Sequence, residues 1–196
     1  HGQLDIMMNN AAAPGKDLYI WEQTLENWND TFAIDVTAAM LCSREVLRRS
    51  MLERKTGVIL NFSSTAGWNG LPRKSHYSAA KASLRTLTKV IAQEVGPYGI
   101  RCNCVVPGQI ETELLRNWFE RTAKEQGISV EQRRSDILSG VALKGEISSP
   151  EEVAHLALFK HARRFQQHRQ EQAPLNRFGV EFRTRAHVRR QEGFER

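Results

Sequence analysis

Three short apolar segments alternate with two long helical patterns in this chain, and this alternation constrains its fold more than any other feature. The helical patterns run from about Leu25 to Arg54 and from Ser75 to about Glu94, where Gly96-Pro97 ends the second one. The segments predicted to form strands are Leu4–Asn9, Val58–Phe62 and Arg101–Val106. Because strand–helix–strand units form right-handed crossovers, the sequence predicts an α/β fold with a parallel sheet.

Polar or glycine-containing segments follow each predicted strand directly. Asn9-Asn10 ends the first strand, Ser63-Ser64 the second and Pro107-Gly108 the third. In parallel sheets, ligands bind beyond the carboxyl ends of the strands. The strand positions alone therefore predict a ligand site to which these three segments contribute.

Tyr77 and Lys81 lie four residues apart in the second helical pattern, and Ser64 lies thirteen residues before Tyr77. On a helix, such a pair shares one face, with its side chains about 5–6 Å apart. A free phenol has a pKa of about 10, and a neighbouring ammonium favours its ionised form. We therefore expect Lys81 to lower the pKa of Tyr77. Tyr77 could then exchange a proton with an alcohol or carbonyl oxygen that Ser64 holds.

The order of these motifs resembles the short-chain dehydrogenase/reductase family. The motifs are Asn9-Asn10-Ala11, Ser64, Tyr77-x-x-x-Lys81 and Pro107-Gly108-x-x-x-Thr112. The resemblance covers about residues 1–159 and favours the branch of 3-oxoacyl-carrier reductases and alcohol dehydrogenases. It implies an incomplete Rossmann-type, doubly wound parallel sheet that is the C-terminal portion of a single domain. It also implies hydride transfer between NAD or NADP and a carbonyl or secondary alcohol.

The resemblance implies a role for each matched residue. Tyr77 is the proton donor or acceptor, and Ser64 holds the substrate oxygen, because the spacing favours it over Ser63. Lys81 also binds the ribose hydroxyls of the nicotinamide. The residues implied to bind the cofactor are Asn9 and Ala11 on the adenosine side, Tyr77 and Lys81, and Pro107, Gly108, Ile110 and Thr112 near the nicotinamide.

Asp35 stands where the family usually has a catalytic asparagine. Much of that residue's role in the family belongs to its backbone carbonyl at a helix irregularity, which an aspartate can retain. A carboxylate near Lys81 draws the ammonium towards itself and can raise the pKa of Tyr77. We therefore expect activity to be weakened rather than abolished.

The net charge of +6 is unevenly distributed along the chain. Residues 1–159 carry 18 basic and 18 acidic side chains, whereas residues 160–196 carry 10 and 4. Three explanations of this basic tail remain open: a translation that left its reading frame, an unfolded arm, or a divergent helix. Nucleic-acid binding by the tail is disfavoured, because it lacks interleaved aromatic residues and periodicity.

A glycine-rich turn of the G-x-x-x-G-x-G type does not precede the strand that ends at Asn9. A dinucleotide fold needs an earlier half that carries this turn against the pyrophosphate. At roughly 30 residues per strand–helix–strand unit, about 70–80 residues are expected to be missing. The alternative to an active oxidoreductase is therefore a catalytically incompetent fragment.

Two further segments each have two possible interpretations. Residues 112–140 are predicted to be either a mobile substrate lid or a packed surface helix. Arg73-Lys74 is either a contact for an anionic substrate or a solvated charge pair.

The cysteines Cys42, Cys102 and Cys104 suit a reducing cytoplasm and predict no metal site. No apolar run of 18 residues predicts a membrane span. The expected partners are a small-molecule substrate and, in a full-length parent, further copies of the chain.

Overall fold

The computed structural model describes residues 2–139 and 147–162, with side chains up to residue 158. The chain divides into two compact units. Among the described residues, the first unit comprises residues 2–109 and 150–162, and the second comprises residues 110–139 and 147–149. Apart from the end of one helix, the tail predicted for residues 160–196 lies outside the described residues.

The first unit is built around a three-stranded parallel sheet in the order β1-β2-β3. Its strands are β1 (Ile6–Asn9), β2 (Gly57–Phe62) and β3 (Ile100–Val105). Asn9 of β1 pairs in register with Asn61 of β2, and Asn61 pairs with Cys104 of β3. The predicted parallel α/β fold is confirmed. The carboxyl ends of all three strands therefore lie side by side at one edge of the sheet.

A long helical segment connects β1 to β2, but it is not a regular α-helix throughout. It consists of α1 (Leu25–Phe32), a π-helical segment (Ala33–Thr37), α2 (Ala38–Val46), a second π-helical segment (Leu47–Met51) and α3 (Leu52–Arg54). The Thr24 side chain caps its start by accepting the Asn27 N–H at 3.1 Å. Asp35 lies in the middle of the first π-helical segment, an irregularity of the kind that often marks functional sites.

The buried face of this segment differs from the one that its apolar pattern indicates. Trp28 and Phe32 are only half-buried, and Met40 is 37% exposed. The inward-facing side chains are small or polar: Asn27, Thr31, Asp35, Ala39, Ser43 and Val46. Trp28 and Phe32 instead stack on each other, with ring centroids 5.1 Å apart. Two of these polar side chains have partners on other elements: Ser43 accepts from Asn9 of β1 at 3.0 Å, and Asp35 accepts the Ala13 N–H at 2.7 Å.

Apolar side chains cover both faces of the sheet. On one face, α5 (Ser75–Val95) packs with the helical segment over a core of Val46, Met51, Ile59, Ile91, Val95, Ile100 and Cys102. On the opposite face, Val58 and Leu60 contact Ala157 of α8 (Pro150–Ala162). Burial of each large aliphatic side chain contributes about 1.5–3 kcal/mol. Coverage on both faces agrees with the predicted doubly wound arrangement.

The second unit contains two helices, α6 (Glu113–Gln126) and α7 (Val130–Leu138). Thr112 caps α6, since its hydroxyl accepts the Leu115 N–H at 3.3 Å. Phe119 and Ala123 of α6 and Leu138 of α7 are buried. The helical composition predicted for residues 112–140 is found, while the lid role remains a prediction. Within the described ranges, no helix is long and apolar enough to cross a bilayer.

Candidate active site

Two side-chain amides, from the half-buried Asn9 and the buried Asn61, connect β1 to β2 at their carboxyl ends. Asn9 donates to the Asn61 side-chain oxygen at 2.7 Å and to the Ser43 hydroxyl at 3.0 Å. Asn61 in turn donates to the Thr88 hydroxyl of α5 at 2.9 Å. In this structure, Asn9 therefore links the two strands to the surrounding helices. Asn61 was not predicted as part of the site, although a fully buried amide within an apolar strand is a recognisable signal.

Ser64 and Tyr77 are brought together at the edge of the sheet where the strands end. Ser64 follows β2, and Tyr77 lies in the first turn of α5. The Ser64 hydroxyl is close enough to the Tyr77 phenol to lower its pKa. The Ser64 hydroxyl also accepts the Ala66 N–H at 3.2 Å, which orients it at the start of the short helix α4 (Ala66–Asn69). The predicted pair therefore occupies the predicted edge.

Ser63 has a different environment from Ser64. Its hydroxyl is buried and donates to the backbone carbonyl of Lys81 at 2.7 Å. Ser64 is half-buried and faces Tyr77. Ser63 therefore joins β2 to α5, which supports the choice of Ser64 as the residue near a substrate.

Lys81 is almost completely buried and is held by two oxygens. Its Nζ atom lies 3.1 Å from the Phe62 carbonyl and 3.1 Å from Asp35 Oδ2. The ammonium is 5.5 Å from the centre of the Tyr77 ring. The predicted i, i+4 proximity of Tyr77 and Lys81 is therefore present.

Asp35 connects Lys81 to the loop that follows β1. Its Oδ1 atom accepts the Ala13 N–H at 2.7 Å, while Oδ2 faces the Lys81 ammonium. Asp35 is only 1% exposed. A carboxylate and an ammonium at such depth lose much hydration energy, so each depends on the other and on the neighbouring backbone groups.

The pKa of Tyr77 is shifted in the direction opposite to the one expected from Lys81. Burial of the phenol raises its pKa above the ordinary value of 10.0, the hydrogen bond with Ser64 lowers it, and the Asp35 carboxylate raises it. The net result is a raised pKa. The pKa is therefore not lowered overall, because burial outweighs the groups that favour the phenolate, and the Asp35 carboxylate raises the pKa as expected from the sequence.

Arg73 and Lys74 make contacts that neither interpretation of this basic pair anticipated. Lys74 forms a largely buried ion pair with Asp17 at 2.7 Å and donates to the Pro14 carbonyl at 2.9 Å. Arg73 donates to the Asp17 carbonyl at 3.2 Å and lies over the Tyr19 ring. Both side chains therefore fasten the loop after β1 to the start of α5.

The remaining residues predicted to bind a cofactor are divided between the two units. Ala11 and Gly108 are exposed in the first unit, and the Pro107 carbonyl accepts the Thr65 N–H at 3.0 Å. Ile110 and Thr112 belong to the second unit, where Ile110 forms a β-bridge with Ser148.

Two further residues near Tyr77 and Lys81 were not predicted from the sequence. Gly67 of α4 packs so closely on α5 that an added Cβ would lie 2.8 Å from the Lys81 carbonyl carbon. His76, next to Tyr77, is fully buried and contacts the Pro14 carbonyl. In neither case does the local sequence indicate the contact, because the partner lies on another element.

The sequence profile described as short chain dehydrogenase matches residues 1–123. The 3-oxoacyl-[acyl-carrier-protein] reductase of Chlamydia muridarum is 32% identical over 160 residues, which are 81% of this chain and 58% of that reductase. The 2,5-dichloro-2,5-cyclohexadiene-1,4-diol dehydrogenase of Sphingobium indicum is 35% identical over 159 residues, covering 81% of this chain and 60% of the relative. The chain thus spans less than two thirds of the length of these relatives.

A solved structure of actinorhodin polyketide ketoreductase with NADPH has the same fold. It superimposes with a TM-score of 0.75 at 32% sequence identity, covering 82% of this chain and 61% of the ketoreductase chain. The region that matches the profile contains the parallel sheet and the Ser64, Tyr77 and Lys81 motifs. On the extent of the profile match, this chain belongs to the short-chain dehydrogenase family.

Proposed function

We propose that this chain is an NAD(P)-dependent oxidoreductase that interconverts a carbonyl group and a secondary alcohol, with Tyr77 as the proton donor and acceptor. The observation that carries the proposal is the position of the buried Lys81 ammonium 5.5 Å from the centre of the Tyr77 ring, with the Ser64 hydroxyl beside the phenol. This group stands at the carboxyl ends of parallel strands, the usual position of ligands in such folds.

In the proposed reaction, Tyr77 Oη gives its proton to the carbonyl oxygen during reduction and takes a proton from the alcohol during oxidation. The Ser64 hydroxyl donates a hydrogen bond to the same oxygen and stabilises the negative charge that develops there. Because its pKa is raised, Tyr77 remains protonated at neutral pH. We therefore propose that near pH 7 the chain favours reduction, which requires a protonated Tyr77, over oxidation, which requires the phenolate.

The Lys81 ammonium is proposed to support Tyr77 from a fixed position. Asp35 and the Phe62 carbonyl hold Nζ in place. Asp35 also offsets part of the positive charge that would otherwise favour the phenolate. We propose that Asp35 keeps the geometry of the catalytic group while weakening the electrostatic effect of Lys81.

The residues at the strand ends are compatible with a nicotinamide cofactor. When bound, NAD or NADP supplies or accepts the hydride. Lys81 and the Tyr77 hydroxyl offer donors for ribose, and the space beside Gly108 is open, since a Cβ added there would meet no atom within 4 Å. The residues proposed to hold the cofactor are Asn9, Ala11, Tyr77, Lys81, Pro107, Gly108, Ile110 and Thr112.

The substrate is proposed to be a small molecule with a ketone or secondary alcohol. This proposal rests on the relatives, which are a reductase of 3-oxoacyl groups and a dehydrogenase of a cyclic diol. We also propose a homo-oligomer. Ile34, Leu41 and Val90 each expose more than a third of their surface on the long helices, and a second copy could cover them.

Titration of the purified chain with NADH and with NADPH, followed by cofactor fluorescence, tests binding. Reduction of a 3-oxoacyl thioester or a cyclic ketone tests catalysis. Tyr77→Phe is the matched variant, because it removes only the hydroxyl. We expect this variant to bind cofactor somewhat more weakly, because one proposed donor to the ribose is lost, and to lose turnover by about 10²–10⁴-fold.

Two results would contradict the proposal. Turnover that survives in Tyr77→Phe would exclude Tyr77 as the proton donor. Absence of binding to either cofactor, or binding without turnover on any ketone tested, would instead favour a catalytically incompetent chain.

A further inference from the structure

His76 is a fully buried histidine next to Tyr77 that the proposed reaction does not use. Its Nε2 atom lies 3.0 Å from the Pro14 carbonyl oxygen. A carbonyl only accepts hydrogen bonds, so Nε2 carries the proton and donates. The other ring nitrogen, Nδ1, is buried and has no hydrogen-bond partner among the described residues. The bond to Pro14 is therefore the one hydrogen bond that orients the ring within the described part of the chain, beside its packing.

The loop after β1 depends on contacts of this kind for its position. The Ala13 N–H, adjacent to Pro14, donates to Asp35 Oδ1 at 2.7 Å. The next residue, Gly15, has a φ of +61° and packs so tightly that an added Cβ would lie 2.3 Å from His76 Nε2. The His76 ring thus contacts two consecutive loop residues at van der Waals and hydrogen-bonding distance.

These contacts form a closed path that begins and ends on α5. The path runs from His76 to Pro14, from Ala13 to Asp35, and from Asp35 Oδ2 to Lys81 Nζ at 3.1 Å. We infer that His76 is a positioning residue: by holding Pro14, it directs the Ala13 N–H to Asp35 and so fixes the carboxylate against Lys81. The inference rests on the proposed function in one respect only: the proposed function is what makes the position of Lys81 beside Tyr77 important.

A second side chain contributes to the same anchor. The Lys74 ammonium also donates to the Pro14 carbonyl, at 2.9 Å, and to the Gly15 carbonyl, at 3.2 Å. Its long aliphatic chain has several rotatable bonds, whereas the His76 ring is enclosed and has two. His76 therefore restricts the loop more tightly, and its loss is expected to loosen the loop rather than release it.

Two variants of the full chain separate the hydrogen bond of His76 from its packing. His76→Gln keeps an N–H donor, whereas His76→Met has a similar length and shape but no donor. The first measurement is hydrogen exchange of the Ala13 amide by NMR. The second is exchange of the Lys81 ammonium protons with water, which is slow only while Nζ is held by its oxygens. Ser83→Ala serves as the control, because the Ser83 hydroxyl makes a local bond within α5, to the Ala79 carbonyl.

We expect His76→Met to accelerate both exchange processes about fivefold, the effect of one lost hydrogen bond. His76→Gln and Ser83→Ala should remain within about twofold of the parent chain, and the Cys102 amide in the sheet should be unaffected by all three. In a chain that already carries Asp35→Asn, His76→Met should no longer change Lys81 exchange.

The inference is overturned if His76→Met leaves the Ala13 and Lys81 signals unchanged. It is also overturned if His76→Gln exchanges as fast as His76→Met, since packing alone would then explain the effect. None of these measurements requires cofactor or turnover. The exchange measurements on His76 therefore remain valid even if the chain has no enzymatic activity. Conversely, a negative His76 result does not bear on the activity, which the Tyr77→Phe variant tests.

Discussion

The Asp35 carboxylate lies 3.1 Å from the Lys81 ammonium, and both side chains are almost completely shielded from solvent. An ion pair at this depth replaces the hydration of both charges, so its two members depend on each other. Lys81 is also one helical turn from Tyr77. The pair therefore couples the stability of the fold to the ionisation of the proposed catalytic residue.

Replacing Asp35 with asparagine should lower the pKa of Tyr77. The carboxylate is one of the causes that raise this pKa, and an amide retains an oxygen for the Ala13 N–H. The measurement is a pH titration of the Tyr77 ring carbon next to the hydroxyl by NMR, with Tyr19 and Tyr98 as internal references. An unchanged Tyr77 midpoint would show that Asp35 does not act on the phenol.

The same substitution should also move the pH dependence of alcohol oxidation to lower pH. Oxidation requires Tyr77 to accept a proton, so the rate rises as the phenol ionises. A lower pKa makes the phenolate available at lower pH. A rate profile that moves to higher pH, or stays in place while the NMR midpoint changes, would separate Tyr77 from the proton transfer.

Replacing Lys81 with methionine should destabilise the fold by about 3–5 kcal/mol, because the Asp35 carboxylate is then buried without its counter-ion. Lys89→Met on the exposed side of α5 is the matched control and should cost less than about 0.5 kcal/mol. Urea unfolding followed by circular dichroism gives both free energies. Combining Lys81→Met with Asp35→Leu should recover most of the loss. Equal stabilities of the Lys81 and Lys89 variants would argue against a tightly coupled pair.

Gly15→Ala should be more destabilising than Gly127→Ala. Both glycines have positive φ, +61° and +67°, and left-handed backbone costs alanine about 1–2 kcal/mol. At Gly127 nothing lies within 4 Å of an added Cβ, whereas at Gly15 it would meet His76 and Asn27. Overpacking should add about 1–3 kcal/mol at Gly15. Similar unfolding midpoints for the two variants would mean that the loop can move away from His76.

Acidification should destabilise the fold through His76. Burial lowers the pKa of His76 below its ordinary value of 6.5, and Lys74 also lowers it, while the Pro14 carbonyl, Asp17 and Asp35 oppose this shift. Below pH 6.5 the unfolded chain therefore binds a proton that the folded chain resists, and stability falls until the folded pKa is passed. Unfolding in urea at pH 7.5 and pH 5.5 measures the loss. It should be smaller in His76→Gln, and an equal loss in both chains would assign the effect to other groups.

Local sequence patterns predicted the elements whose partners are close in sequence. Tyr77 and Lys81 are one helical turn apart, so an i, i+4 spacing suffices to place them together. The apolar strands and the segments that follow them predicted the edge of the sheet at which Ser64 lies. The buried face of the first long helix was not predictable in this way. The burial of its polar residues Thr31, Asp35 and Ser43 depends on the elements that they contact. Trp28 and Phe32 instead bury part of their ring surface by stacking on each other.

The order of strands and helices, the parallel sheet and the motif typical of short-chain dehydrogenases can all be read from the amino-acid sequence, because each depends on local periodicity or spacing. How that motif is held depends on long-range contacts. Asn9 contacts Asn61 across 52 residues of sequence, and His76 contacts Pro14 across 62. The direction of the Tyr77 pKa shift belongs to the same class of property. This direction follows from the burial of the phenol and from the nearby Asp35 carboxylate. Both depend on which surfaces folding brings together, so the spacing of residues along the chain does not predict them.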